Sequence, residues 1–183
     1  SSISVRAWPR ILALFFINIG VIFAIHATNS ERVLLKHLLW LVFVLIISLI
    51  VFPLYVTSEK KVVMSALFTT LFLTVVLSSI AYAKPEWISL SMGPILFFAL
   101  LTVIIMELLL LFLFRNKLGK KSWLFRGISY VVIFIFMGFI LYDTKRLQIN
   151  AKECVKADYI KESMKLFLDI LNIFVRLLGL SRR

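Results

Sequence analysis

Five polar residues in the C-terminal part of this 183-residue chain share one helical face. Lys161, Lys165, Asp169, Asn172 and Arg176 follow one another at intervals of four, four, three and four, the spacing that stacks side chains on one side of a helix. The other faces carry Leu166, Phe167, Ile170, Leu171, Phe174 and Leu178. The stretch therefore reads as an apolar span with a polar stripe running through it. Asp169 lies near the middle of that span, where a charge costs about 2.5–3.5 kcal/mol on insertion scales. Such a residue is expected to face a bundle interior or a water-filled cavity and to have a partner. The plainer alternative is an internal ion pair between Lys165 and Asp169 that only holds helices together.

A second carboxylate, Asp143, closes an apolar run in Leu141-Tyr142-Asp143-Thr144; taken alone, it reads as an interfacial residue. Glu107 depends on where its helix begins. If the helix starts at Trp87, Glu107 reaches the far interface; if it starts after Pro94, Glu107 is buried and needs a partner. Thr70, Thr74 and Ser78 recur every four residues, as hydroxyls that return hydrogen bonds to the backbone or join helices do. His26 and His37 are isolated and read as hydrogen-bonded or snorkelling side chains rather than metal ligands. Carboxylates suit calcium, so an all-oxygen site for it stays open; no other cofactor is expected. Cys154 is the only cysteine, so an intrachain disulfide is impossible. Phosphate-loop, HExxH and GxSxG patterns do not occur, and an enzyme is not expected.

Six apolar segments position these residues: 11–27, 38–57, 62–83, 88–114, 124–143 and 160–180. Spans of about 20 apolar residues cross a bilayer as helices, because a helix satisfies its own backbone hydrogen bonds in lipid. The expected fold is all-α: one polytopic integral membrane bundle over 1–183. Segment 88–114 is longer than a hydrocarbon core of about 30 Å requires, and Gly93-Pro94 offers a break near its start. Pro53 is expected to kink the second helix. The polar stretch 144–159 reads as a loop or a short surface helix. Trp8, Trp40, Trp87 and Trp123 lie near segment starts, as an aromatic belt requires.

Composition agrees with this reading. The chain is 62% apolar and 16% charged, far from the values of a soluble domain. Its net charge of +12 would suggest nucleic acid in a soluble protein. Here most of it falls between apolar runs, where it sets topology and meets anionic headgroups. Lys36 is counted among these loop-end charges. The expected partner is therefore the lipid bilayer and not nucleic acid. The distribution weakly favours both termini on the positive-inside face.

Two motifs carry a resemblance. Gly138-Phe139-Ile140-Leu141-Tyr142-Asp143-Thr144 is similar to the end of the penultimate helix in the transmembrane Bax inhibitor motif family. Phe167-Leu168-Asp169-Ile170-Leu171-Asn172-Ile173-Phe174, followed by Leu177-Leu178-Gly179, resembles that family's last helix. Weaker similarity covers Tyr55 to Ala66 and the basic turn from Asn116 to Leu124. The resemblance implies a bundle with a central helix, in a family associated with calcium leak and cell-death modulation. It also implies that Asp143 and Asp169 form a hydrogen-bonded pair acting as a pH-sensitive latch on a cation path, with Lys165, Asn172 and Arg176 as its supporting stripe. The family pattern has seven helices, whereas this sequence has room for six. The family's arginine near the end of the second helix has no match in Thr57-Ser58-Glu59. Lys165, one turn from Asp169, would favour an ionised carboxylate.

Two functions follow as expectations. One is a pH-regulated calcium or cation leak protein, placed by the resemblance in the endoplasmic reticulum or Golgi membrane. The other is a non-conducting subunit that keeps this fold within a larger complex, with other membrane subunits as partners. The mitochondrial inner membrane is a plausible site for the second, since a chain beginning at Ser1 and rich in cations fits an imported, processed product.

Overall fold

The computed structural model describes residues 2–29, 31–113, 122–153 and 158–181. Most of the basic turn around Asn116, together with Cys154, Arg182 and Arg183, lies outside the described residues. The described residues form six α-helices: α1 (Ser2–Ala27), α2 (Val33–Val56), α3 (Lys60–Ala83), α4 (Met92–Leu113), α5 (Ser122–Glu153) and α6 (Tyr159–Ser181). One 3₁₀ turn, Pro85–Trp87, precedes α4. No strand occurs among the described residues. The expected all-α membrane bundle is what the chain forms. Among the described residues, four helices are long and apolar enough to cross a membrane: α2, α3, α4 over Met92–Leu110 and α5 over Trp123–Glu153. The described apolar part of α1, Ala13–Ala27, is shorter. Helix α6, which carries the charges of the polar stripe, is not among those four.

The chain divides into two compact units. The first comprises Ser1–Ser58 and Cys154–Met164. In it α1 packs along α2, and Ile25, Phe43 and Ile46 are buried. Asn18 is also buried, and its Oδ1 has no hydrogen-bond partner among the described residues. Pro53 falls in the last turn of α2, where its carbonyl accepts hydrogen bonds from the Thr57 N–H at 3.3 Å and the Thr57 hydroxyl at 2.7 Å.

The second unit comprises Glu59–Glu153 and Lys165–Arg183. Helices α3 and α4 both pack on α5. The core between them includes Leu77, Val103, Val132, Phe136 and Ile140, with Ile173 contributed by α6. Two boundaries differ from those expected. The segment expected over 88–114 is broken into a turn and a helix that begins at Met92, because Gly93 and Pro94 suit a first turn better than an interior. Helix α5 does not stop at Asp143 but runs on to Glu153. The stretch 144–159 is thus mostly helix, since 144–153 contains neither Gly nor Pro to end it.

Helices α4 and α5 meet at glycines, neither of which has a positive φ. Their role is close approach, as small residues allow between membrane helices. A Cβ on Gly93 would lie 2.6 Å from Tyr142 Cζ, and one on Gly138 would lie 2.8 Å from Leu96 Cδ2. Gly93→Ala must push aside a tyrosine ring, and overpacking of this kind costs about 1–3 kcal/mol. Gly127→Ala, on the same α5 but with nothing within 4 Å of its new Cβ, should instead gain up to about 1 kcal/mol from helix propensity. Thermal unfolding in detergent should therefore rank Gly93→Ala below wild type and Gly127→Ala at or above it. The reverse order would sink the close-packing account.

Candidate carboxylate site

Asp143 and Asp169 come together in the second unit. Both are buried, at 9% and 6% exposure, and their side chains are hydrogen-bonded to each other. Asp169 Oδ2 is buried without a hydrogen-bond partner among the described residues. The contact fixes a point that the sequence left inconsistent, since it placed Asp169 mid-span and Asp143 at a span end. With α5 continuing ten residues past Asp143, that carboxylate lies inside a helix and shares the depth of Asp169. Two carboxyl groups in contact cannot both ionise cheaply, and a hydrogen bond between them requires a proton on one of them.

The pair lines a groove of about 660 Å³. Tyr142, Arg146, Lys165 and Asn172 add polar groups, while Phe97 and Phe136 are among its apolar walls. Three of the five stripe residues, Lys165, Asp169 and Asn172, therefore face one groove. The Asn172 amide donates to the Leu168 carbonyl at 2.7 Å. Arg176 turns instead to Glu107 of α4, forming a bidentate ion pair in which Nη2 donates to Oε2 at 2.8 Å. This resolves the two readings of Glu107: its helix starts late, and the carboxylate is half-buried and partnered.

The hydroxyl stripe of α3 does two things. Thr70 and Thr74 return hydrogen bonds to the Ala66 and Thr70 carbonyls at 2.7 and 2.8 Å. Ser78 reaches α5, its hydroxyl 3.3 Å from that of Thr144, the residue after Asp143. On α5, Lys145 donates to the Ile88 carbonyl and ties the helix to the turn before α4. His26 and His37 each bond a carbonyl of their own helix, Ile22 and Val33. No group of three potential metal-binding His, Cys, Asp or Glu side chains occurs among the described residues.

The sequence reading missed a site in the first unit. Lys36 is almost wholly buried, at 2% exposure, and forms an ion pair with Asp158. Asp158 also caps α6, its Oδ1 accepting the Lys161 N–H at 3.3 Å. A signal was available, since Asp immediately before an apolar helical run is an N-cap signature. The apolar run expected to form the second span begins at residue 38, whereas α2 begins at Val33 and so takes Lys36 into the helix. Burial raises the Asp158 pKa, but the hydrogen bonds from Lys36 and the Lys161 backbone, with the charges of both lysines, more than offset it and hold the carboxyl below 3.8.

A multi-helix membrane bundle with a buried carboxylate pair between its last two helices is the class that fold and site define. The family described as "Inhibitor of apoptosis-promoting Bax1" matches residues 1–182, and the chain belongs to it, in agreement with the two C-terminal motifs. Among its relatives, "Golgi anti-apoptotic protein" of vaccinia virus (strain Lister) is 31% identical over 171 residues, covering 93% of this chain and 67% of that protein. "Protein LIFEGUARD 4" of Arabidopsis thaliana is 35% identical over 130 residues, covering 69% of this chain and 48% of the relative. "Bax inhibitor 1" of Homo sapiens is 37% identical over 73 residues, covering 40% of this chain and 30% of the relative. The chain spans about a third to a half of the length of the plant relatives it matches.

Proposed function

We propose that this chain is a proton-sensitive leak for calcium or a similar cation, with Asp143 and Asp169 as its latch. The observation that carries the reading is the buried, hydrogen-bonded carboxylate pair lining a groove. While the pair shares a proton it carries one negative charge and a hydrogen bond that holds α5 to α6. Loss of that proton adds a second negative charge, so the carboxylates repel and the space between them favours water and cations. The protein then works by conduction and not by catalysis, and its ligands are the bilayer and the passing cation. An internal membrane is the proposed site, supported by the Golgi named for the vaccinia relative.

The test is calcium efflux from liposomes containing the purified protein. Efflux should rise from mildly acidic to mildly alkaline pH; vesicles no leakier than protein-free ones at every pH would refute the reading. One observation favours a second reading, a non-conducting subunit of a larger membrane complex. Lys165 and Arg146 line the same groove, and cations beside the carboxylates can neutralise their charge without a shared proton and repel an entering cation. That reading predicts stoichiometric co-purification with other membrane subunits and no efflux.

A further inference from the structure

The carboxylate pair is not the last charged feature along α6. Arg176 lies seven residues beyond Asp169 on the same face, about 10 Å further along the axis at 1.5 Å per residue. Its ion pair with Glu107 lies past the end of the groove, two turns beyond Leu100 on α4 and one turn beyond Asn172 on α6, both of which line it. The two side chains are 29% and 20% exposed, and Glu107 belongs to an apolar span. Charged pairs within membrane-spanning helices are costly and tend to mark ion pathways; this one lies towards the Leu110 end of the α4 span.

Resting on the leak reading, we propose that Glu107 and Arg176 form a second barrier in series with the carboxylate pair and decide which sign of charge can pass. In the closed pair, the guanidinium engages both carboxylate oxygens, so the far end of the stripe offers a cation no free acceptor. Separating the pair would expose Glu107 to the path as a cation ligand and leave Arg176 as a repelling charge. Packing alone does not require a charged pair here, because the surrounding helices are held by an apolar core.

A barrier and a simple structural clamp differ in the sign of their mutational effects. Glu107→Gln leaves an unpaired cation beside the path and should slow calcium efflux about tenfold or more; Arg176→Gln leaves a carboxylate and should speed it about tenfold. The double variant Glu107→Gln/Arg176→Gln removes the barrier without leaving a buried charge and should leak faster than wild type. It also keeps the test available if a single variant does not fold. All would be measured in liposomes on protein that is monodisperse in detergent. Single variants that shift efflux in the same direction, or a double variant no faster than wild type, would overturn the second barrier. If Asp169→Asn alters efflux while these variants do not, the second barrier alone fails; a wild-type chain that does not leak overturns both proposals.

Discussion

Asp169→Asn is expected to flatten the pH dependence of calcium efflux. The amide keeps the shape of the carboxyl and can still donate a hydrogen bond to Asp143, but it cannot ionise. The coupled titration of two carboxylates becomes the titration of one, and the repulsion proposed to open the path cannot develop. At alkaline pH, where the wild type should leak fastest, the variant should leak about tenfold or more slowly, the scale set by one unit charge near an ion path. At acidic pH the two should converge. Because the substitution is nearly isosteric, thermal stability in detergent should change little, which separates lost gating from lost folding. Efflux that keeps the wild-type pH profile in this variant would remove the latch from the proposal, whatever its absolute rate.

Asp158→Asn should have the largest effect on stability. Removing one partner of a buried ion pair leaves a buried charge uncompensated and costs about 3–5 kcal/mol. The low end applies here, because the Asp158 side chain remains 21% exposed while that of Lys36 is only 3% exposed. Asparagine still caps a helix, so Asp158→Ala should cost about 1 kcal/mol more. Lys36→Met in the Asp158→Asn background should recover most of the loss, since an apolar side chain of similar length has no charge to desolvate. The pH dependence has a definite sign. The folded-state pKa of Asp158 is below 3.8, so the stabilisation is fully present above the unfolded value and is lost as pH falls through the folded one. Wild type should therefore lose more thermal stability on acidification below 3.8 than Asp158→Asn does. Equal acid sensitivity in the two proteins would show that the pair contributes nothing.

The apolar runs fixed the number of helices in the described chain, since each is long enough to demand a helix in lipid. Their ends were less legible. Nothing in Thr144–Glu153 breaks a helix, yet its polarity left a loop or a separate surface helix open, because polar residues mark the limit of a span and not the limit of a helix. The same confusion placed Lys36 outside α2. At the site, the stripe of α6 was readable because an aspartate among leucines and isoleucines needs an explanation. That Asp143 meets Asp169 was implied by family resemblance and could not be derived from spacing, which carries no information between two helices. The partner of Arg176 was undetermined for the same reason; Glu107 became a candidate only once Gly93-Pro94 was taken as a helix start.

The length of α5 has a mechanical consequence. Its 32 residues extend about 48 Å, well beyond a hydrocarbon core of about 30 Å, and its polar end carries Lys145, Arg146, Lys152 and Glu153. Asp143 is thus joined to Glu153 by about 15 Å of continuous helix, with neither Gly nor Pro between. An α-helix is stiff over that distance, so the exposed end acts as a lever arm. A small tilt imposed at Glu153 by a headgroup or a neighbouring protein reaches the carboxylate contact as a rigid-body rotation. Lys145, near the base of that arm, is tied to the Ile88 carbonyl.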